Sequence, residues 1–183
     1  MIRLSGIGKN PFRRFARAQE GAAMVEFALV ALPFFLLTFG LAEVSMIGFA
    51  QTSLTHAVAE TARTIRTGEA QTSHQTYDQI KSTLCSHFTA LLPIDCAGNL
   101  FLDVDSFTSF VDADNAQAAP IVDGQLQTGN FGYSPGVASD IVVVRAYYRW
   151  QVVTPVFQSI FSNADGGQRV LVSTMMFRSE PYN

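Results

Sequence analysis

Three groups of residues in this 183-residue chain are of types that could do chemistry. Cys85, His87 and Cys96 could ligate zinc, but a structural zinc site takes four ligands at recognised spacings. The same Cys and His types could make a nucleophile–base pair, yet nothing near them orients the base. His56 and His74 stand alone. Asp103, Asp105, Asp112 and Asp114 invite a calcium reading. An EF-hand loop counted from Asp103 would need Gly at its sixth position and Glu at its twelfth, where this chain has Thr108 and Asp114. These acids read as solvated strand ends and loop residues. Gly6-Ile7-Gly8-Lys9 is too short for a phosphate loop and lacks the Ser or Thr after its Lys. No catalytic set, metal site or cofactor site is expected, and the chain does not read as an enzyme.

A different chemistry is written at Glu20-Gly21-Ala22-Ala23-Met24-Val25-Glu26-Phe27. Glycine at the foot of an apolar run lets an extended backbone lie in a protease cleft with no side chain to exclude. A cut between Gly21 and Ala22 would remove five basic residues, Arg3, Lys9, Arg13, Arg14 and Arg17, and leave a new α-ammonium on Ala22. Glu26 would then sit about one turn into the mature helix. An ionised Glu inside a bilayer costs a few kcal/mol, in the range of about 2.5–3.5 on insertion scales. A neighbouring chain's α-ammonium could offset that cost. The bland alternative is an interfacial Glu that reaches the headgroups.

The charge distribution frames this segment. The whole chain carries a formal −3, which argues against a basic nucleic-acid-binding surface, so nucleic acid is not an expected partner. Residues 1–21 carry +4 and the remainder −7. Charged residues make up 15% of the chain, against about 25% in soluble domains. Phe27–Ala42 is an uncharged run of 16 residues, and Phe27–Ala50 contains one charge, Glu43. Those 24 residues would reach about 36 Å as a helix, enough to cross a hydrocarbon core about 30 Å thick. Glu43 is then expected near one interface, snorkelling to it. Basic residues before the span put the N-terminus in the cytoplasm and the body outside it, in a single-pass arrangement. A secretory signal is the nearest rival, but no convincing small-x-small cleavage site follows the apolar run. Pro33 lies within the span and should kink or loosen the helix, although Pro is also common in membrane helices.

The stretch from Arg14 to Gly68 resembles the TadE-like family of pseudopilins, encoded with the tight-adherence (Flp-type) pili of bacteria. The shared elements are a basic leader, Gly21 to Phe27, Pro33 inside the apolar span, Glu43 near its far end, and Ala59, Ala62 and Arg63. The ending Arg178-Ser179-Glu180-Pro181-Tyr182 looks like the R-x-E-P ending of many such proteins. This resemblance implies a pilin-like fold and cleavage after Gly21 by a prepilin peptidase. It implies a minor pilin or pseudopilin at the bacterial inner membrane, with a periplasmic body. Its expected partners are other pilin and pseudopilin subunits, the prepilin peptidase and the lipid bilayer. Glu26 and Phe27 would set helix register during assembly. The alternative is an uncleaved, single-pass, membrane-anchored binding protein.

Elements must hold these residues. One helix is expected over 22–67, with Leu54, Val58, Ala62 and Ile65 continuing its apolar stripe and Gly68 ending it. Tyr77, Ile80, Leu84, Phe88 and Leu91 mark a second amphipathic helix closed by Pro93. Leu100–Val104 begins a strand, and residues 113–140 read as a long loop. In the strand Ile141–Val152, Val142, Val144, Ala146, Tyr148, Trp150 and Val152 share one face. After Pro155 comes a short helical turn, then Gly166-Gly167 turns into a last strand, Arg169–Arg178. The expected class is α+β with a C-terminal antiparallel sheet. Domains are expected at 1–21 (leader), 22–67 (transmembrane and stalk helix) and 68–183 (outer body). Cys85 and Cys96, the only cysteines, would bond in an oxidising compartment and add about 3 kcal/mol in the chain-entropy model. Two free buried thiols are the alternative.

Overall fold

The apolar run and the polar stretch after it form one unbroken helix, α1 (Gln19–Arg66). The computed structural model describes residues 19–90, 94–116 and 121–182. The expected leader up to position 18, and Leu91 and Pro93 at the end of the second helix, lie outside the described residues. Arg63 and Arg66 in the last turn of α1 suit the negative end of its dipole. Gly68 then takes a left-handed φ of 79°, which stops the helix. A single turn, α2 (Glu69–Thr72), follows.

Helix α3 (Tyr77–Thr89) starts at a capping box. The Thr76 hydroxyl accepts the Gln79 amide while the Gln79 side chain accepts the Thr76 amide. Its apolar stripe buries Ile80, Leu84 and Phe88. The Cys85–Cys96 disulfide, with Cα atoms 5.7 Å apart, ties α3 to the approach of β1 (Leu100–Phe107). The segment read as a loop, 113–140, begins inside a short helix, α4 (Phe110–Asn115), and holds two short strands, β2 (Ile121–Val122) and β3 (Gln125–Leu126), which form a hairpin. Elements of two to six residues are too short to show a period. Strand β4 (Ile141–Gln151) leads through α5 (Pro155–Phe161) and a 3₁₀ turn at Asp165–Gly167 to β5 (Gln168–Arg178).

The main sheet has the order β1-β4-β5, and both pairings are antiparallel. Leu100 pairs with Tyr148, and Gln151 with Gln168, which fixes the register of both ladders. The chain divides into two compact units after Ala42. In the first, the described residues are those of α1 alone. The second begins at Glu43 and joins the rest of α1 to the sheet. Ala50, Leu54, Ala57, Val58, Ala62 and Ile65 of α1 pack with Ile80, Leu84 and Phe88 of α3 on the sheet face made by Leu102, Val104, Val144, Ala146, Tyr148 and Trp150. The opposite face of β4 is covered too. Ile141 and Val143 pack with Ala113, and Tyr147 packs with Leu126 and Val170. The segment between β1 and β4 supplies much of that second cover, so β4 is buried on both sides. The observed class is mixed helix and sheet with a long N-terminal helix and a C-terminal antiparallel sheet, as the sequence led us to expect.

Candidate assembly segment and the Glu43 junction

The residues proposed for processing and register lie near the start of α1. Gly21 and Ala22 are exposed and helical, and the space around Gly21 is open to 4 Å. An extended backbone at Gly21 would therefore require the first turn of α1 to unwind. Helix ends fray readily, because their first four amides have no partner within the helix. Glu26 and Phe27 are also exposed, Phe27 at 73%. Pro33 sits inside α1 without interrupting it. Its missing N–H leaves one helical carbonyl without its usual donor. Apolar side chains point outward all around this part of the helix, including Val25, Leu29, Leu32, Phe35 and Leu37. A helix apolar on every face is stable only against lipid or other helices. The segment is long and apolar enough to cross a membrane.

The character of α1 changes at Glu43. Upstream, residues 21–42 have no buried side chain, whereas Glu43 is 4% exposed. Its carboxylate accepts the backbone amides of Val153 and Thr154, at 3.0 and 3.1 Å, and the Thr154 hydroxyl at 2.9 Å. Glu43 thus does not snorkel to an interface. A buried carboxylate is tolerable when donors converge on it, and here two amides and a hydroxyl do. These donors precede α5, whose own N-cap residue Thr154 makes no capping bond from its side chain. Glu43 anchors the N-cap residue and the residue before it, the segment that leads into the helix, rather than the amides of its first turn. Sequence reasoning missed Val153 and Thr154, which lie 110 and 111 residues away. The available signal was Thr154-Pro155, an N-cap and N1 pair three residues beyond the end of β4.

The far end of α1 is fastened as well. The Glu180 amide donates to the Arg66 carbonyl at 2.8 Å, and its carboxylate lies 3.3 Å from Arg66 Nε. The terminal Arg178–Tyr182 motif therefore lies against the end of the long helix.

A polar group lies on the second face of the sheet. Arg145 Nη1 donates to Asp103 at 3.1 Å and to Asp105 at 3.0 Å, and Asp103 also accepts the Gly132 amide. Burial, followed by the Asp103 charge, pushes the Asp105 carboxyl above the ordinary range despite Arg145. Burial likewise raises the Tyr147 hydroxyl beside them. Asp103 and Asp105 face the cation they pair with, while Asp112 serves the Ser109 cap of α4. Among the described residues no three His, Cys, Asp or Glu side chains gather as metal ligands.

Comparison with known proteins bears on the helix. No curated protein and no solved structure matches the chain. A family model described as TadE-like protein matches residues 21–63. The match starts at Gly21, runs through the apolar segment and Glu43, and ends at Arg63 in the last turn of α1. Over that segment, less than a quarter of its length, the chain is similar to the TadE-like family.

Proposed function

We propose that this chain is a pseudopilin or minor pilin of a tight-adherence pilus, processed by a prepilin peptidase after Gly21 and acting by subunit packing rather than catalysis. The observation that carries the reading is the TadE-like segment beginning at Gly21, followed by an exposed helix apolar on every face. The basic leader holds the N-terminus in the cytoplasm, the span crosses the inner membrane, and the body lies outside. After cleavage, the Ala22 α-ammonium and Glu26 of adjacent subunits pair and set the register of the bundled helices. Phe27 packs beside that pair, and Pro33 loosens the helix during extraction from lipid. Other pilin and pseudopilin subunits, the peptidase and the bilayer are its partners. A Cys85–Cys96 disulfide fits a body held in an oxidising compartment.

The test is the N-terminal sequence of the mature chain in cells with and without the prepilin peptidase. The expected mature chain begins at Ala22 only when the peptidase is present. An intact Met1 in both strains, or a cut made without the peptidase, overturns the reading.

A further inference from the structure

Glu43 directly follows Ala42, the last residue of the uncharged run, and so marks the level at which that run ends. Its carboxylate holds the Val153 and Thr154 amides and the Thr154 hydroxyl, and thereby fixes the start of α5 to that level. Residues 150–164 contain no charged side chain. A helix of seven residues has little stability alone, and α5 has no fully buried side chain to hold it. Val156 and Ile160, four positions apart, share one face and are 62% and 67% exposed. Val153, just before the helix, is 69% exposed. On the other side, the half-buried rings of Phe157 and Phe161 stand 5.4 Å apart.

We propose that Val153, Val156 and Ile160 insert into the bilayer interface, making α5 a second lipid contact of the chain next to the point where α1 leaves the membrane. The proposal rests on reading the exposed apolar residues 22–42, about 31 Å of helix, as a membrane span. Lipid is the occupant because the patch is joined by three hydrogen bonds to the residue that ends that span. The 150–164 segment also offers no charge with which the rim of a protein partner could pair. Interfacial helices bury an apolar face about 5–10 Å into the headgroup boundary.

The experiment uses the full chain in phosphatidylethanolamine–phosphatidylglycerol vesicles, with single cysteines introduced by Leu32→Cys, Val156→Cys, Ile160→Cys or Val137→Cys. With Cys85 and Cys96 bonded, a nitroxide reagent labels the introduced thiol. Collision with oxygen reports lipid, and collision with a water-soluble nickel chelate reports water. Val137 is the aqueous control. It is 65% exposed and sits three residues from Asp140, whose carbonyl accepts the Ser179 amide near the Arg66 end of α1. That end is about 35 Å of helix away from Glu43. Labels at 32, 156 and 160 are expected to favour oxygen, and the label at 137 to favour nickel. Water-like readings at 156 and 160 beside a lipid-like reading at 32 overturn the proposal alone. A water-like reading at 32 as well overturns the span and the proposal with it. Immobile labels at 156 and 160, shielded from both reagents and released on dilution into excess lipid, assign the patch to a second subunit and also overturn it.

Discussion

The Tyr182 ring lies against Gly68, so close that a Cβ on the glycine would come 2.2 Å from Cδ1 of the ring. The glycine has φ +79°, where a side chain is strained in any case. Gly68→Ala is therefore expected to destabilise the body by about 1–3 kcal/mol through backbone strain and the clash together. Urea unfolding of the full chain in detergent measures it. Adding Tyr182→Ala should remove the clash and leave the strain, so the double variant should lose less than the sum of the two single losses. Strict additivity would mean that ring and glycine do not meet.

Removing the acceptor at the other end of the helix leaves donors stranded. Glu43→Ala should cost about 1–3 kcal/mol, because two amides and a hydroxyl lose their partner. Hydrogen exchange at the Val153 and Thr154 amides should accelerate while the β4 amides stay protected. Glu43→Gln keeps one acceptor oxygen and should fall between. Unchanged exchange at both amides would contradict the anchoring role.

Joint replacement of Cys85 and Cys96 by Ser should cost about 3 kcal/mol for a loop this short. Non-reducing peptide mapping should recover the two cysteines in one cross-linked fragment. Recovery of two free thiols would remove the bond.

Asp105 should give a pH signature. Its folded-state pKa is raised above the ordinary 3.8, chiefly by burial and then by the Asp103 charge. The folded chain thus binds this proton more tightly than the unfolded chain does. Its contribution is full below the ordinary pKa and is lost as pH rises through the folded one. Asp105→Asn should flatten stability across that window relative to the parent chain, and the carboxyl carbon of Asp105 should titrate above an exposed Asp by NMR. Parallel stability curves for parent and variant would refute the shift.

Under the proposed assembly role, Glu26→Ala should leave processing after Gly21 intact and reduce co-purification with pilin subunits. Glu26→Asp, which keeps the charge, should retain more of the association. Equal recovery of partners with Glu26→Ala would rule out the pairing.

Much of this architecture could be read from periodicity. Leu54, Val58, Ala62 and Ile65 step along α1, Ile80, Leu84 and Phe88 along α3, and alternation in β4 marks the face that meets both helices. These signals are local: each arises from one element turning a single face to the core. Other features were hidden because they depend on contacts between distant segments. Glu43 reads as an interfacial acid until the chain returns 110 residues later with two free amides. Tyr147 falls by alternation on the other face of β4, and the cover over it comes from Leu126 and Phe131 in the segment between β1 and β4. The reading of Gly21 and Glu26 as a processing motif stands as a proposal, and α1 begins at Gln19, ahead of the expected start at Ala22.

The two fastenings of α1 have a mechanical consequence. Glu43 is tied to the residues that follow β4, and Arg66 to those that follow β5. Because β4 and β5 are antiparallel, their C-terminal ends lie at opposite ends of a shared ladder running from Ile141–Arg178 to Gln151–Gln168. Tension along the Glu43–Arg66 stretch would therefore load that ladder in shear, with all its rungs strained together. Were both ties at one end, the rungs would open in succession like a zip. A rod that is pulled lengthwise is thus backed by the most resistant direction of the sheet beside it.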